Sequence, residues 1–206
     1  MKTAVWICLL GGLWLSGCFS PIAPHEDHPV LHDRFHGKYR IISSYSNVAV
    51  DLNGDGIPTT DLTTEMPPHA NFINNDGLEL RVYRDYERKM EPVYLFIQRW
   101  PEQYIWGPGM ATSQSWNGEP LAFDARINVS YAQQGAISRF SLSPDLTEIM
   151  VTGSEDLKNI RWRKPVSAKI VGEHTIDLVN RKVLYTGSGT KEVIITTRLE
   201  RYTMVT

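Results

Sequence analysis

Apolar and polar residues alternate with a period of two through most of the second half of the chain. Leu78, Leu80 and Val82 fall on one side of an extended segment and Glu79, Arg81 and Tyr83 on the other, and Val93, Leu95 and Ile97 repeat the pattern. The longest run sets Leu121, Phe123, Ala125, Ile127, Val129 and Tyr131 against Ala122, Asp124, Arg126, Asn128 and Ser130. Successive side chains of a β-strand point to opposite faces, so this spacing predicts strands and not helices. A first strand is expected at 37–48, shorter ones at 138–142, 147–152, 159–163, 168–171, 175–179 and 182–186, and a long last one at 192–205. Gln134-Gly135, Ser143-Pro144-Asp145, Gly153-Ser154, Gly172-Glu173, Asn180-Arg181 and Gly187-Ser188-Gly189 supply turn chemistry between them. The one helical feature expected is a single turn at 62–66, capped by Asp61 or Thr60 and stopped by Pro67-Pro68.

Short strands at hairpin spacing predict an all-β antiparallel meander. Such a sheet must close or expose two edges, and roughly eight to ten strands are enough to close it. An up-and-down barrel over 37–206 with few or no helices is therefore expected, ahead of a sandwich. With 206 residues and 42% hydrophobic content the chain needs no second domain.

The first 36 residues follow a different pattern. Lys2 precedes an apolar run from Ala4 to Leu15, which reads as a secretory signal at 1–17 and is too short to span a bilayer. The run ends in Leu15-Ser16-Gly17-Cys18, which resembles the lipobox of bacterial lipoproteins. That resemblance implies cleavage before Cys18, a diacylglyceryl group on its thiol, and further acylation with fatty acids such as palmitate. Cysteine usage agrees: Cys8 lies in the leader, so Cys18 would otherwise be an unpaired thiol in an oxidising compartment. Phe19 follows the cysteine, and by resemblance to lipoprotein sorting this points to the outer membrane. Residues 18–36, with Pro21, Pro24 and Pro29, read as a flexible tether. The tether also carries His25, His28, His32 and His36 among acidic residues, in no recognisable metal-ligand pattern. The formal charge is −2 and becomes more negative once Lys2 is removed, which argues against a nucleic-acid partner.

The sharpest chemical signal is 51–61, Asp51-Leu52-Asn53-Gly54-Asp55-Gly56-Ile57-Pro58-Thr59-Thr60-Asp61. Calcium loops place oxygen ligands at positions 1, 3, 5, 7 and 9 with glycine at 6. Asp51, Asn53, Asp55, the Ile57 carbonyl and Thr59 match that spacing, while the closing carboxylate, Asp61, falls one residue early. A structural Ca2+ site built from Asp51, Asn53, Asp55, Ile57, Thr59 and Asp61 is one expectation. An Asx-rich turn without metal, its positive φ supplied by Gly54 and Gly56, is the other.

Residues 101–120 read as a long connection bearing Tyr104, Trp106 and Trp116, with Trp100 at its start. Aromatic rings there could line a ligand site at a barrel mouth or fold back as a plug. No nucleophile elbow, zincin helix or phosphate loop is present, and the chain is read as non-enzymatic.

Taken with the lipobox, Gly37-Lys38-Tyr39 opening the first strand, Val50-Asp51-Leu52-Asn53-Gly54-Asp55-Gly56, and Thr196-Thr197-Arg198-Leu199-Glu200-Arg201-Tyr202 in the last strand resemble the lipocalin-like lipoproteins. The resemblance implies a barrel on a membrane anchor. It also implies an aromatic at Tyr39 stacked beneath a cation from Arg198 or Arg201. The expected role is binding a small apolar or glycan ligand, or an envelope protein. The alternative is a structural or assembly lipoprotein whose barrel is packed solid.

Overall fold

The computed structural model describes residues 28–85, 91–108, 114–115, 118–152 and 164–206. The expected leader, Cys18, Trp116, the 159–163 strand and the Gly153-Ser154 turn lie outside the described residues. The order of elements is α1 (His28–Phe35), β1 (Gly37–Val50), β2 (Thr59–Asp61), α2 (Leu62–Glu65), a 3-10 turn (Pro68–Ala70), β3 (Asp76–Asp85), β4 (Glu91–Trp106), β5 (Gln114–Ser115), β6 (Asn128–Leu142), β7 (Ile149–Thr152), β8 (Ser167–Ile170), β9 (Thr175–Thr186) and β10 (Gly189–Thr203).

One antiparallel sheet runs β7-β6-β4-β3-β1-β10-β9-β8, with β2 added to β1 and β5 to β4. Each neighbour on this path is the next long strand in sequence, except where the first strand pairs with the last. The sheet curls until its two ends approach: Glu148 bridges Lys169, and the Ile170 N–H donates to the Thr147 carbonyl at 2.8 Å. The fold is the expected antiparallel up-and-down barrel of lipocalin-like form, nearly closed.

Alternation builds the core. Leu78, Leu80 and Val82 of β3, Ile176, Leu178 and Leu184 of β9, and Val193, Ile195 and Leu199 of β10 are buried, with Tyr39, Phe96, Trp100 and Phe140 among them. A register shift between Ile41 and Ser43 resets the phase of β1: Tyr39 and Ile41 are buried before it, Ser44 and Ser46 after it, and Ile42 is exposed. The Ser44 and Thr197 hydroxyls then satisfy each other at 2.8 Å.

The expected tether is shorter than read, because α1 begins at His28 and packs against the barrel. Leu31 and Phe35 are buried, the Tyr39 hydroxyl donates to the Phe35 carbonyl at 2.8 Å, and the His32 and His36 rings stack at 4.4 Å. The i, i+4 spacing of Leu31 with Phe35 and of His28, His32 and His36 is the helical signal that the prolines masked. Arg201 lies opposite Tyr39 in the ladder, yet its guanidinium donates to the carbonyls of Asp33 at 2.7 Å and His36 at 3.2 Å. It therefore satisfies the C-terminal end of α1, a favourable place for a cation. Arg198 pairs with Asp177 at 2.7 and 2.8 Å and takes no part in that end of the barrel.

Three other expectations are corrected. β6 runs through Gln134-Gly135 and β9 through Asn180-Arg181, because continuous ladders with β4 and β10 outweigh local turn preference. Residues 101–106 belong to β4, not to a loop. Pro101 is accommodated because β3 pairing ends at Gln98 and β5 pairing begins at Tyr104, leaving one edge of the strand without a ladder there. Finally, residues 121–127 are not strand. The Asp124 carbonyl accepts from Ile127 N at 2.9 Å, the Asp124 carboxylate clasps Arg126, and Leu121 exchanges bonds of 2.8 and 2.9 Å with Thr190. Leu121, Ile127 and Val129 form a second apolar cluster with Ile105 and Tyr185, while Phe123 and Ala125 between them are exposed, so the alternation there corresponds to no single buried face.

His36 makes the packing of α1 pH-dependent. Its Nδ1 accepts from the Val82 N–H at 3.1 Å, and burial, seconded by the charges of His32 and Arg81, holds its pKa below 6.5. The unfolded chain therefore binds this proton more readily, so the contribution is complete above pH 6.5 and is lost as pH falls through the folded-state pKa. Melting curves between pH 7.5 and 5 should show the midpoint dropping, with a shallower drop in His36→Asn, whose amide oxygen can still accept from Val82. An identical slope in the variant would remove His36 as the cause.

Candidate functional site

β1 and β2 are joined by 51–58, and the loop is organised by its own side chains. Asp51 accepts from Gly54 N at 2.7 Å and from Gly56 N at 3.1 Å, Asn53 from Asp55 N at 2.9 Å, and Asp55 from Ile57 N at 2.7 Å. Gly54 and Gly56 adopt φ of 77° and 80°, which the turn requires. The Asp51 carbonyl accepts from Gly187 N at 3.0 Å, and a Cβ on Gly187 would lie 2.7 Å from the Asp51 carboxylate, so the β9–β10 hairpin and the loop are fitted to each other.

Glu65 is the group that sequence reasoning undervalued. It projects from α2, is 1% exposed, and its two oxygens accept from Leu52 N and Thr59 N, each at 3.0 Å. One buried carboxylate thus straps both ends of the loop. The sequence placed Glu65 close by but could not show that it points back across the loop.

Asp51, Asn53 and Asp55 are brought together; Asp61 and Thr59 are engaged elsewhere. Asp61 caps α2, accepting from Thr63 N at 2.9 Å and Thr63 Oγ1 at 2.6 Å, as expected of the capping residue. The Thr59 hydroxyl accepts from Asp61 N at 3.2 Å. Among the described residues no three His, Cys, Asp or Glu side chains gather as a metal-ligand group. A cation here would rest on Asp51 and Asp55 with the Asn53 amide oxygen, a main-chain carbonyl such as that of Ile57, and water, a donor set that suits Ca2+ and not a transition metal.

The loop also touches the barrel interior. Tyr131 Oη donates to the Leu52 carbonyl at 3.4 Å and accepts from Gln103 Nε2 at 3.1 Å. Burial pushes its hydroxyl pKa up to about 12, and the Glu65 and Asp51 carboxylates push the same way. Gln103 in turn grips the Tyr185 peptide from both sides, at 2.8 and 2.7 Å. On the neighbouring position of β4, Glu102 forms an enclosed ion pair with Lys182 at 2.6 Å, with the ammonium 5.2 Å from the Trp100 ring. Nothing in the alternation of β4 and β9 announced this pair.

Of the three aromatics expected at a barrel mouth or as its plug, Tyr104 and Trp106 lie among the described residues. Tyr104 is half-buried in β4, its hydroxyl accepting from Gln134 Nε2 at 3.0 Å, and Trp106 ends the same strand, 37% exposed. Trp100 is buried edge-on against Phe72 at 5.3 Å. The internal space bounded by Ile41, Trp100, Leu178, Asn180 and Leu199 is about 10 Å³. That is room for about one water, far below the roughly 300–1,000 Å³ of small-molecule sites.

Removing the strap should be costly. Glu65→Ala leaves two main-chain N–H groups without acceptors and is expected to lower unfolding free energy by about 2–4 kcal/mol. Asp61→Ala, which removes only a helix cap, should cost about 1 kcal/mol. Urea titration distinguishes them, and equal costs would refute the strap. No family model, curated protein or solved structure matched this chain when it was compared with each.

Proposed function

We propose that this protein is a non-enzymatic lipoprotein of the cell envelope, anchored through Cys18, whose lipocalin-like barrel is a packed scaffold and recognises what it binds with its outer surface. The observation that carries the reading is the close packing around Trp100 among the described residues. Trp100 and the Lys182–Glu102 pair are buried inside the wall, and the space bounded by Ile41, Trp100, Leu178 and Leu199 is about 10 Å³. The packed-barrel alternative therefore stands ahead of an internal apolar ligand.

The anchor rests on Leu15-Ser16-Gly17-Cys18. Dual or triple acylation holds a protein at a bilayer essentially permanently, and among the described residues no helix is long and apolar enough to cross one. The 51–58 loop fits a weak structural Ca2+ site on Asp51, Asn53 and Asp55. Its role would be to stiffen the end of the barrel against which the β9–β10 hairpin packs.

Native mass spectrometry of the full mature protein released from detergent should give the acylated chain without a stoichiometric small molecule. A co-purified apolar ligand displaced by enlarging an interior side chain, as in Ala168→Leu, would overturn the packed-scaffold reading. Cys18→Ala should abolish incorporation of labelled palmitate and shift the protein out of the membrane fraction. If the loop holds Ca2+, millimolar calcium should raise the melting midpoint by roughly 3–6 °C over EDTA, as expected of a weak extracytoplasmic site. Asp51→Asn should remove the difference, and identical curves in EDTA and calcium would take the ion out of the account.

A further inference from the structure

Ile42, which follows the buried Ile41 on the outward side of β1, borders a groove on the outside of the barrel. β1 pairs with β3 only from Gly37 to Arg40, and the β1–β2 ladder resumes at Tyr45. Between them the 71–76 connection stands off from β1, and the groove so formed encloses about 530 Å³. That volume lies within the roughly 300–1,000 Å³ typical of small-molecule sites. We propose that this groove binds a neutral pyranose sugar.

Three features of the lining select that chemistry. Ile42, Ile73 and Tyr202 are 47%, 48% and 49% exposed, which gives apolar walls and an aromatic face for the C–H surface of a sugar ring. The charged groups are already paired. Arg40 donates to Glu200 at 2.8 Å, and Asp76 is held by the Tyr202 hydroxyl, by Arg99 at 3.1 Å and by Lys38 at 3.7 Å. An ionic ligand would find no uncompensated counter-charge, whereas a hydroxyl can use the remaining lone pairs of a fixed carboxylate. Asn74 completes the set. Its side chain makes no hydrogen bond among the described residues, so an amide donor and acceptor are both open to adjacent hydroxyls. The turn that carries it is held by Asn71 at φ 51° and by Asn75 Nδ2 donating to the Asn71 carbonyl at 3.0 Å.

The inference rests on the outward-facing reading for its biological sense, but the two fail separately. A ligand found inside the barrel defeats that reading alone, and a groove that ignores sugars defeats this inference alone. The full mature protein in detergent is tested by saturation-transfer NMR and calorimetry. The probes are methyl β-glucoside, N-acetylglucosamine, the N-acetylglucosamine trimer and galacturonic acid. Saturable binding of a neutral probe is expected. It should fall about tenfold in Tyr202→Ala, which loses the stacking face, and severalfold in Asn74→Ala, whose side chain supports nothing in the fold. A trimer that binds more tightly than the monosaccharide points to a glycan polymer, and equal affinity points to a free sugar. Absence of binding to every neutral probe, tighter binding of galacturonic acid, or unchanged affinity in folded Asn74→Ala and Tyr202→Ala would each overturn the proposal. Circular dichroism establishes that the variants are folded.

Discussion

The pairing of the first strand with the last is the contact on which the rest of the molecule depends. Every other neighbour on the path is the next long strand in sequence, so those pairings close far shorter loops. β1 and β10 must find each other across most of the chain, a costly loop to close. What compensates is the density of interaction along that seam: Tyr39 opposite Arg201, Ser44 bonded to Thr197, and Ile41 opposite Leu199. Gly37 sits at its start with φ 139°, where a Cβ would lie 2.3 Å from the Thr203 carbonyl, so only glycine lets the two ends meet. The helix preceding β1 depends on the same seam, because Arg201 of β10 and Tyr39 of β1 both satisfy its carbonyls.

Much of this architecture was legible in the sequence, and where it was not the reasons are physical. Period two in 78–83 and 192–205 gave strands because both faces of the barrel wall impose opposite solvation on successive residues; 93–97 is strand too, although Tyr94 and Phe96, and not the alternating Val93 and Leu95, meet the core there. The same pattern at 121–127 marked neither a strand nor one buried face: Phe123 and Ala125 are exposed, and local bonds of Asp124 and Thr190 set the path of the chain there. Gln134-Gly135 and Asn180-Arg181 carry turn chemistry, yet each lies within a ladder paired residue by residue, so tertiary context decided their conformation. Prolines in 18–36 suggested an open tether, although only Pro29 lies within α1, at its first turn, where proline is tolerated.

The 51–58 loop shows how far a metal-like spacing goes towards specifying structure by itself. Asp and Asn at alternate positions accept from main-chain N–H groups two to five residues ahead, and the glycines take up the positive φ. This arrangement also leaves Asp51, Asn53 and Asp55 close together. The same residues thus serve either an Asx-rich turn or a cation, and the spacing alone does not separate the two. Glu65 does more to fix the loop than Asp61, because it is buried and bonded to both ends. Asp61, one residue out of register for coordination, is in register to cap α2. A carboxylate's sequence position names its neighbours along the chain, whereas its role here depends on the path of the backbone between Val50 and Leu62.

A barrel wall has two faces, and filling one moves recognition to the other. Among the described residues the interior holds large and polar groups together: Trp100, the Lys182–Glu102 pair beside it, and the Ser44–Thr197 hydroxyl pair. Burying that many polar groups is tolerable only because each is paired, and opening a cavity among them would leave charges without partners. The interior is therefore resistant to gradual hollowing into a ligand site. The outer face has no such constraint. Ile42 faces out beside the buried Ile41, and beyond Arg40, where the β1–β3 ladder ends, the wall carries a groove lined by Ile42, Ile73 and Tyr202 while the core stays intact. Surface relief of this kind is the form of binding site that a packed barrel can acquire at least cost to its stability.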